Sequence, residues 1–174
     1  LYVCVCRAWH GCCSVLQVVL THMMLFSTAT YRWTNPVNSS NLPRQWHAAA
    51  VVPSLSTMVV FGGERDISTG RPECLADLRT LNTSLMCWLP RVTGGKTPAA
   101  RSGTAACVVK DTQMVIFGGS RGRKWLDEVV VLDTLSWSWT RPQVNGTPPS
   151  ARSYHTITAV DNKIVVFGGN DRDR

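Results

Sequence analysis

Met58-Val-Val-Phe-Gly-Gly63, Met114-Val-Ile-Phe-Gly-Gly119 and Ile164-Val-Val-Phe-Gly-Gly169 are three copies of one phrase, starting 56 and 50 residues apart. Each is a short apolar run closed by two glycines. A run this short, apolar on both faces, is a strand buried between two neighbouring layers. The glycines fit a strand end where the backbone turns sharply or another chain segment approaches closely. Two further markers keep the same period. One precedes each phrase: Arg44-Gln-Trp-His, Arg101-Ser-Gly-Thr and Arg152-Ser-Tyr-His. The other is a tryptophan, Trp33, Trp88 and Trp139, each five residues after a threonine (Thr28, Thr83 and Thr134). Three markers with one period define a repeat, and a repeat decides the architecture.

Each unit reads as four strands. The first follows the arginine marker, over 46–52, 103–109 and 154–160. The second ends in Phe-Gly-Gly. A third covers 78–81 and 129–132, and the fourth carries the tryptophan. No segment keeps a helical period, so the expected class is all-β. A single four-stranded sheet cannot bury both faces. Sheets stacked about an axis can, and they leave only short edges. The tryptophan has the apolar area to seal one sheet onto the next.

The Phe-Gly-Gly strand end, the downstream tryptophan and the period of about fifty residues resemble the kelch motif over roughly residues 23–174. The resemblance implies an incomplete β-propeller of four-stranded antiparallel blades. The lead-in Thr147 to Ser153 is similar to that of kelch proteins of the Rab-effector and host-cell-factor type. The division expected is a degenerate segment at 1–22, where Cys4-Val5-Cys6 stands in place of Phe-Gly-Gly, then the second half of a blade at 23–43. Whole repeats follow at 44–93 and 94–146, and the first half of another at 147–174. That is roughly three blades, fewer than a ring of four to eight, so the remaining blades of a longer chain are expected to be missing. The structural positions of the repeat are Gly62, Gly63, Gly118, Gly119, Gly168, Gly169, Trp33, Trp88 and Trp139.

Composition is that of a globular chain, with 44% hydrophobic and 17% charged residues. No apolar run is long enough for a membrane helix; Gln17, Thr21 and His22 break the best candidate. Seven cysteines, four of them in the first thirteen residues, without a visible secretory signal indicate free thiols and a cytoplasmic setting. The net charge of +7 permits acidic partners.

The placement of that charge carries the functional expectation. Strands alternate in direction, so the loops after Phe-Gly-Gly share one rim with the loops between blades. That rim holds most of the eighteen Lys and Arg, whereas Lys110, Asp111, Asp133, Asp161 and Lys163 on the other rim nearly balance. Arg44, Arg101 and Arg152 recur in every repeat and read as structural. Arg65, Arg71, Arg121, Arg123, Lys124 and Arg172 remain as candidates for binding a partner. Guanidinium groups pair with carboxylates through two parallel hydrogen bonds. The expected partner is another protein or an acidic peptide, with no nucleic acid.

Other chemistries fit less well. Gly94-Gly-Lys-Thr97 lacks the earlier glycine of a phosphate-binding loop, since Pro90 stands there. Cys4, Cys6, His10, Cys12 and Cys13 lie too close together for a zinc site of Cys-x-x-Cys type. His47 and His155 share one repeat position with Thr104 and read as structural hydrogen bonders. No nucleophile constellation, metal site or cofactor is expected. The alternative implied by the resemblance is a propeller enzyme like galactose oxidase; Tyr2, Tyr31 and Tyr154 give no equivalent of its copper site.

Overall fold

The computed structural model describes residues 25–34, 43–65 and 72–171. The segments 1–22 and 35–42, together with Arg71 and Arg172, lie outside them.

Two complete antiparallel meanders form the centre. The first runs Ala48–Val52, Thr57–Phe61, Leu78–Asn82 and Cys87–Leu89. The second runs Ala105–Val109, Gln113–Phe117, Val129–Asp133 and Ser138–Thr140, with Gly94–Gly95 added in parallel at its outer edge. Leu25–Ser27 pairs with Arg32–Thr34 ahead of them. Thr156–Val160 pairs with Lys163–Phe167 after them. The innermost strands of successive sheets, Ala48–Val52, Ala105–Val109 and Thr156–Val160, are neighbours in space. Among the described residues the only helical piece is one 3-10 turn, Pro53–Leu55. The chain is therefore an incomplete β-propeller, all-β, and the described strands form no closed ring of sheets.

The second strand of each sheet explains why a strand apolar on both faces is needed. Val59 and Phe61 face forward and pack on Met114, Ile116, Val130, Leu132 and Trp139 of the next sheet. Val115 and Phe117 face forward in turn onto Ile157 and Val166 of the third. Alternation along the strand thus delivers Met114 and Ile116 to one interface and Val115 and Phe117 to the other. Trp139, only 3% exposed, meets Phe61 with ring centroids 5.1 Å apart.

The glycine pair stitches blades together. The Gly63 N–H donates to the Arg101 carbonyl of the next repeat, and the Gly119 N–H to the Arg152 carbonyl, both at 2.9 Å. At Gly63 φ is +92°, and a Cβ there would stand 2.6 Å from the Gln45 carbonyl oxygen. No other residue fits so close a backbone approach.

The inner strands begin two residues later than the sequence pattern indicates, at Ala48, Ala105 and Thr156. The reason is a left-handed residue at one position of every repeat: Trp46 (φ 57°), Gly103 (φ 62°) and Tyr154 (φ 59°). A left-handed residue breaks strand geometry. Their amides link in series across the blades, Gly103 N–H to the Trp46 carbonyl and Tyr154 N–H to the Gly103 carbonyl.

Candidate functional site

Hydrogen bonds divide the loops into two rims. On one, the Thr83 N–H reaches the Ser56 carbonyl and the Thr134 N–H the Thr112 carbonyl. These bonds join the turns after the first and third strands. On the other, Gln45 pairs with Glu64 and Ser102 with Ser120, which joins the loops between blades to those after Phe-Gly-Gly.

Many cations of this second rim are engaged within the fold. Arg44 forks onto Asp77 at 2.9 and 2.7 Å and donates to the Gly62 carbonyl. Arg101, with no exposed surface, donates to the Gly118 carbonyl and pairs with Glu128. Arg152 donates to the Gly168 carbonyl and to Ser150. These three arginines hold the glycine carbonyls of their own repeats. Burial alone would raise the Asp77 carboxyl, but hydrogen bonds from Arg44 and Arg79 outweigh it and hold it below its ordinary value. Glu128 behaves in the same way between Arg101 and Arg141.

Arg65 pairs with Glu73 at 2.7 Å across a short ribbon. Arg91 lies 4.4 Å over the Trp137 ring, in the turn after the third strand, and so turns from the basic rim toward the opposite one. Arg121, Arg123 and Lys124 are all exposed. The ribbon that pairs Ser120–Arg121 with Lys124–Trp125 brings them together. Gly122 at its tip has φ of +61° with open space around it.

The sequence reading did not single out an aromatic pair on the same rim. Trp46 and Tyr154 meet edge to face, with centroids 4.9 Å apart, and the Tyr154 ring lies against Gly103. Tyr154 is 46% exposed. Burial, and then the charges of Glu64 and Cys74, raise its pKa. The signal available in the sequence was the shared repeat position of Trp46, Gly103 and Tyr154, where the glycine leaves room for the Tyr154 ring.

The Thr104 hydroxyl donates to the Phe117 carbonyl at 2.9 Å. His155 instead stands edge-on to the Phe117 ring at 5.2 Å. Burial, reinforced by Arg44, lowers the His47 pKa to about 4. Burial and then Arg152 lower that of His155. For both, burial favours the neutral imidazole.

Trp88, on the fourth strand opposite Leu81, is half-buried, whereas Trp33 is 53% exposed. Gly62, Gly63, Gly118 and Gly119 are buried; Gly168 and Gly169 are exposed. Among the described residues, no cluster of three or more His, Cys, Asp or Glu could hold a metal ion, and Cys74, Cys87 and Cys107 are free thiols. No helix there is long and apolar enough to cross a membrane.

Stacked four-stranded sheets stitched by Phe-Gly-Gly turns, with an arginine holding each turn, define a repeat propeller. A family model for the KLHDC2/KLHL20/DRC7 Kelch-repeats domain matches residues 7–174, and the chain belongs to this kelch-repeat family. It is 31% identical over 150 residues to a Rab9 effector protein with kelch motifs from Rattus norvegicus, covering 83% of this chain and 39% of the relative. It is 33% identical over 123 residues to host cell factor 2 from Homo sapiens, covering 63% of this chain and 15% of the relative. Over 119 residues it is 33% identical to dynein regulatory complex subunit 7 from Chlamydomonas reinhardtii, covering 66% and 10%. The chain thus spans well under half the length of these curated relatives.

Proposed function

We propose that the chain is a protein-interaction module, an adaptor or scaffold rather than an enzyme, working in the cytoplasm, which binds an acidic protein segment on its loop rim. The observation that carries this reading is the Ser120 to Trp125 ribbon, where Arg121, Arg123 and Lys124 stand exposed on the rim that also bears the Trp46–Tyr154 pair. Aromatic rings and exposed guanidinium groups on one surface are the composition of energetically important interface patches. The names of the relatives, an effector, a host cell factor and a regulatory-complex subunit, support interaction over catalysis.

Charge reversal of Arg121, Arg123 and Lys124 to Glu tests it. A fluorescent peptide of mixed Asp and Glu should lose affinity by about tenfold or more, and the wild-type affinity should fall as salt rises. Equal binding by the triple variant and the wild type would remove the rim from the account.

A further inference from the structure

We propose that the loop rim carries a second recognition site, a corner of two aromatic rings and one carboxylate (Trp46, Tyr154 and Glu64), which takes an arginine side chain of a protein partner. The site goes beyond the reading of the rim as an acceptor of acidic residues, because its charge has the opposite sign. Trp46 and Tyr154 stand at 78° to each other with ring centroids 4.9 Å apart, so their planes form two walls of a corner. The stacked blades hold those walls. The Tyr154 N–H donates to the Gly103 carbonyl at 2.8 Å, and the Gly103 N–H to the Trp46 carbonyl at 2.9 Å. The faces of aromatic rings are the negative part of their quadrupole and attract cations.

Glu64 adds a full charge to that corner. Its backbone exchanges two hydrogen bonds of 2.9 Å with Gln45, the residue before Trp46, and its Oε1 accepts from Gln45 Nε2 at 3.0 Å. The carboxylate is therefore fixed beside the first ring. Its charge also reaches the second, since after burial it is the next cause of the raised Tyr154 pKa. Other carboxylates of this rim are neutralised by arginine. Glu73 takes Arg65, Asp77 takes Arg44 and Arg79, and Glu128 takes Arg101 and Arg141. Arg65 follows Glu64 directly, but side chains alternate along a strand, and Arg65 crosses its ribbon to Glu73 instead. Among the described residues Glu64 enters no ion pair. A carboxylate without a cation, held next to two ring faces, is complementary to a cation.

Arginine suits the corner better than lysine. Its guanidinium is planar and weakly hydrated, so it stacks on a ring face while its edge still donates to a carboxylate. Gln45 occupies Oε1 of Glu64, and the guanidinium edge has Oε2 to reach. One consequence rests on the proposed function: acids held at Arg121, Arg123 and Lys124 and an arginine held in the corner would fix the orientation of a partner, because two sites of opposite sign on one rim reject the reversed placement.

The probe is Nα-acetyl-arginine methylamide, which carries no acid. It is titrated into the isotope-labelled chain, and the indole signal of Trp46, assigned with Trp46→Phe, is followed by NMR. Arginine should shift that signal saturably, with an affinity that falls as salt rises. Glu64→Gln keeps the acceptor for Gln45 and should weaken binding by about tenfold. On the unaltered chain the uncharged norleucine analogue should leave the signal in place, and the lysine analogue should bind more weakly than arginine. The chain with Arg121, Arg123 and Lys124 changed to Glu should bind the arginine probe at least as tightly as the wild type, which separates this site from the acidic-peptide reading. Equal shifts from arginine and norleucine overturn the proposal, as does a Glu64→Gln chain that binds arginine unchanged. A lysine analogue that binds as tightly as arginine overturns the choice of arginine.

Discussion

Arg101 shows what a fully buried charge does in this fold. Its guanidinium ties the Gly118 carbonyl to Glu128, so the sharpest turn of the repeat and the entry of the third strand share one clamp. Removing one partner of such a pair leaves the other charge poorly compensated. Arg101→Met should lower unfolding stability by about 3 kcal/mol. The same change at Arg65, whose ion pair with Glu73 is largely open to water, should cost less than about 1 kcal/mol. Urea titrations of both variants check the difference. His47 gives a pH signature. Unfolded, it takes a proton near its ordinary value of 6.5; folded, it does so at about 4. Between those limits the unfolded chain binds the extra proton. Stability is therefore complete above the unfolded value and declines as pH falls through the window, by up to about 3 kcal/mol. His47→Gln should flatten that part of the stability profile, measured by urea titration from pH 7.5 to 4.

At the scale of the element, the strand ending in Phe-Gly-Gly is the organising unit. Its glycines differ in what holds them. At Gly63 a Cβ would collide with the Gln45 carbonyl, whereas at Gly122 it would meet nothing within 4 Å. Gly63→Ala should therefore destabilise clearly more than Gly122→Ala, which bears only the left-handed backbone cost of about 1 kcal/mol. Thermal midpoints of the two variants make the comparison. The strand was legible in the sequence because burial on both faces leaves an apolar run with no polar alternation. Its partner tryptophan was legible because it recurs. The two-residue delay of the inner strands was not. Trp46 and Tyr154 are bulky residues that give no composition cue for a left-handed conformation, and only Gly103 hinted at it.

For the whole molecule, stacking about an axis followed from the period alone, since four-stranded units with two apolar faces need neighbours on both sides. The electrostatics of the rim did not follow. Arg44 reaches Asp77 and Arg101 reaches Glu128 across most of a repeat, pairings that a linear count of charge cannot see. The rim is thus less basic in effect than its arginines imply, and three of its exposed cations stand together on the Ser120 to Trp125 ribbon. The aromatic pair on the same rim was equally hidden, because Trp46 and Tyr154 come from different repeats and meet only once the blades are stacked.

The claim beneath all of this is that successive sheets bury their faces on one another, with Phe61 of one sheet packed on Trp139 of the next. A double-mutant cycle between Phe61→Leu and Trp139→Phe, read by urea denaturation, tests it most directly. Stacked blades predict a coupling energy of about 1 kcal/mol between the two sites. Strictly additive effects would contradict the packing of one blade upon the next.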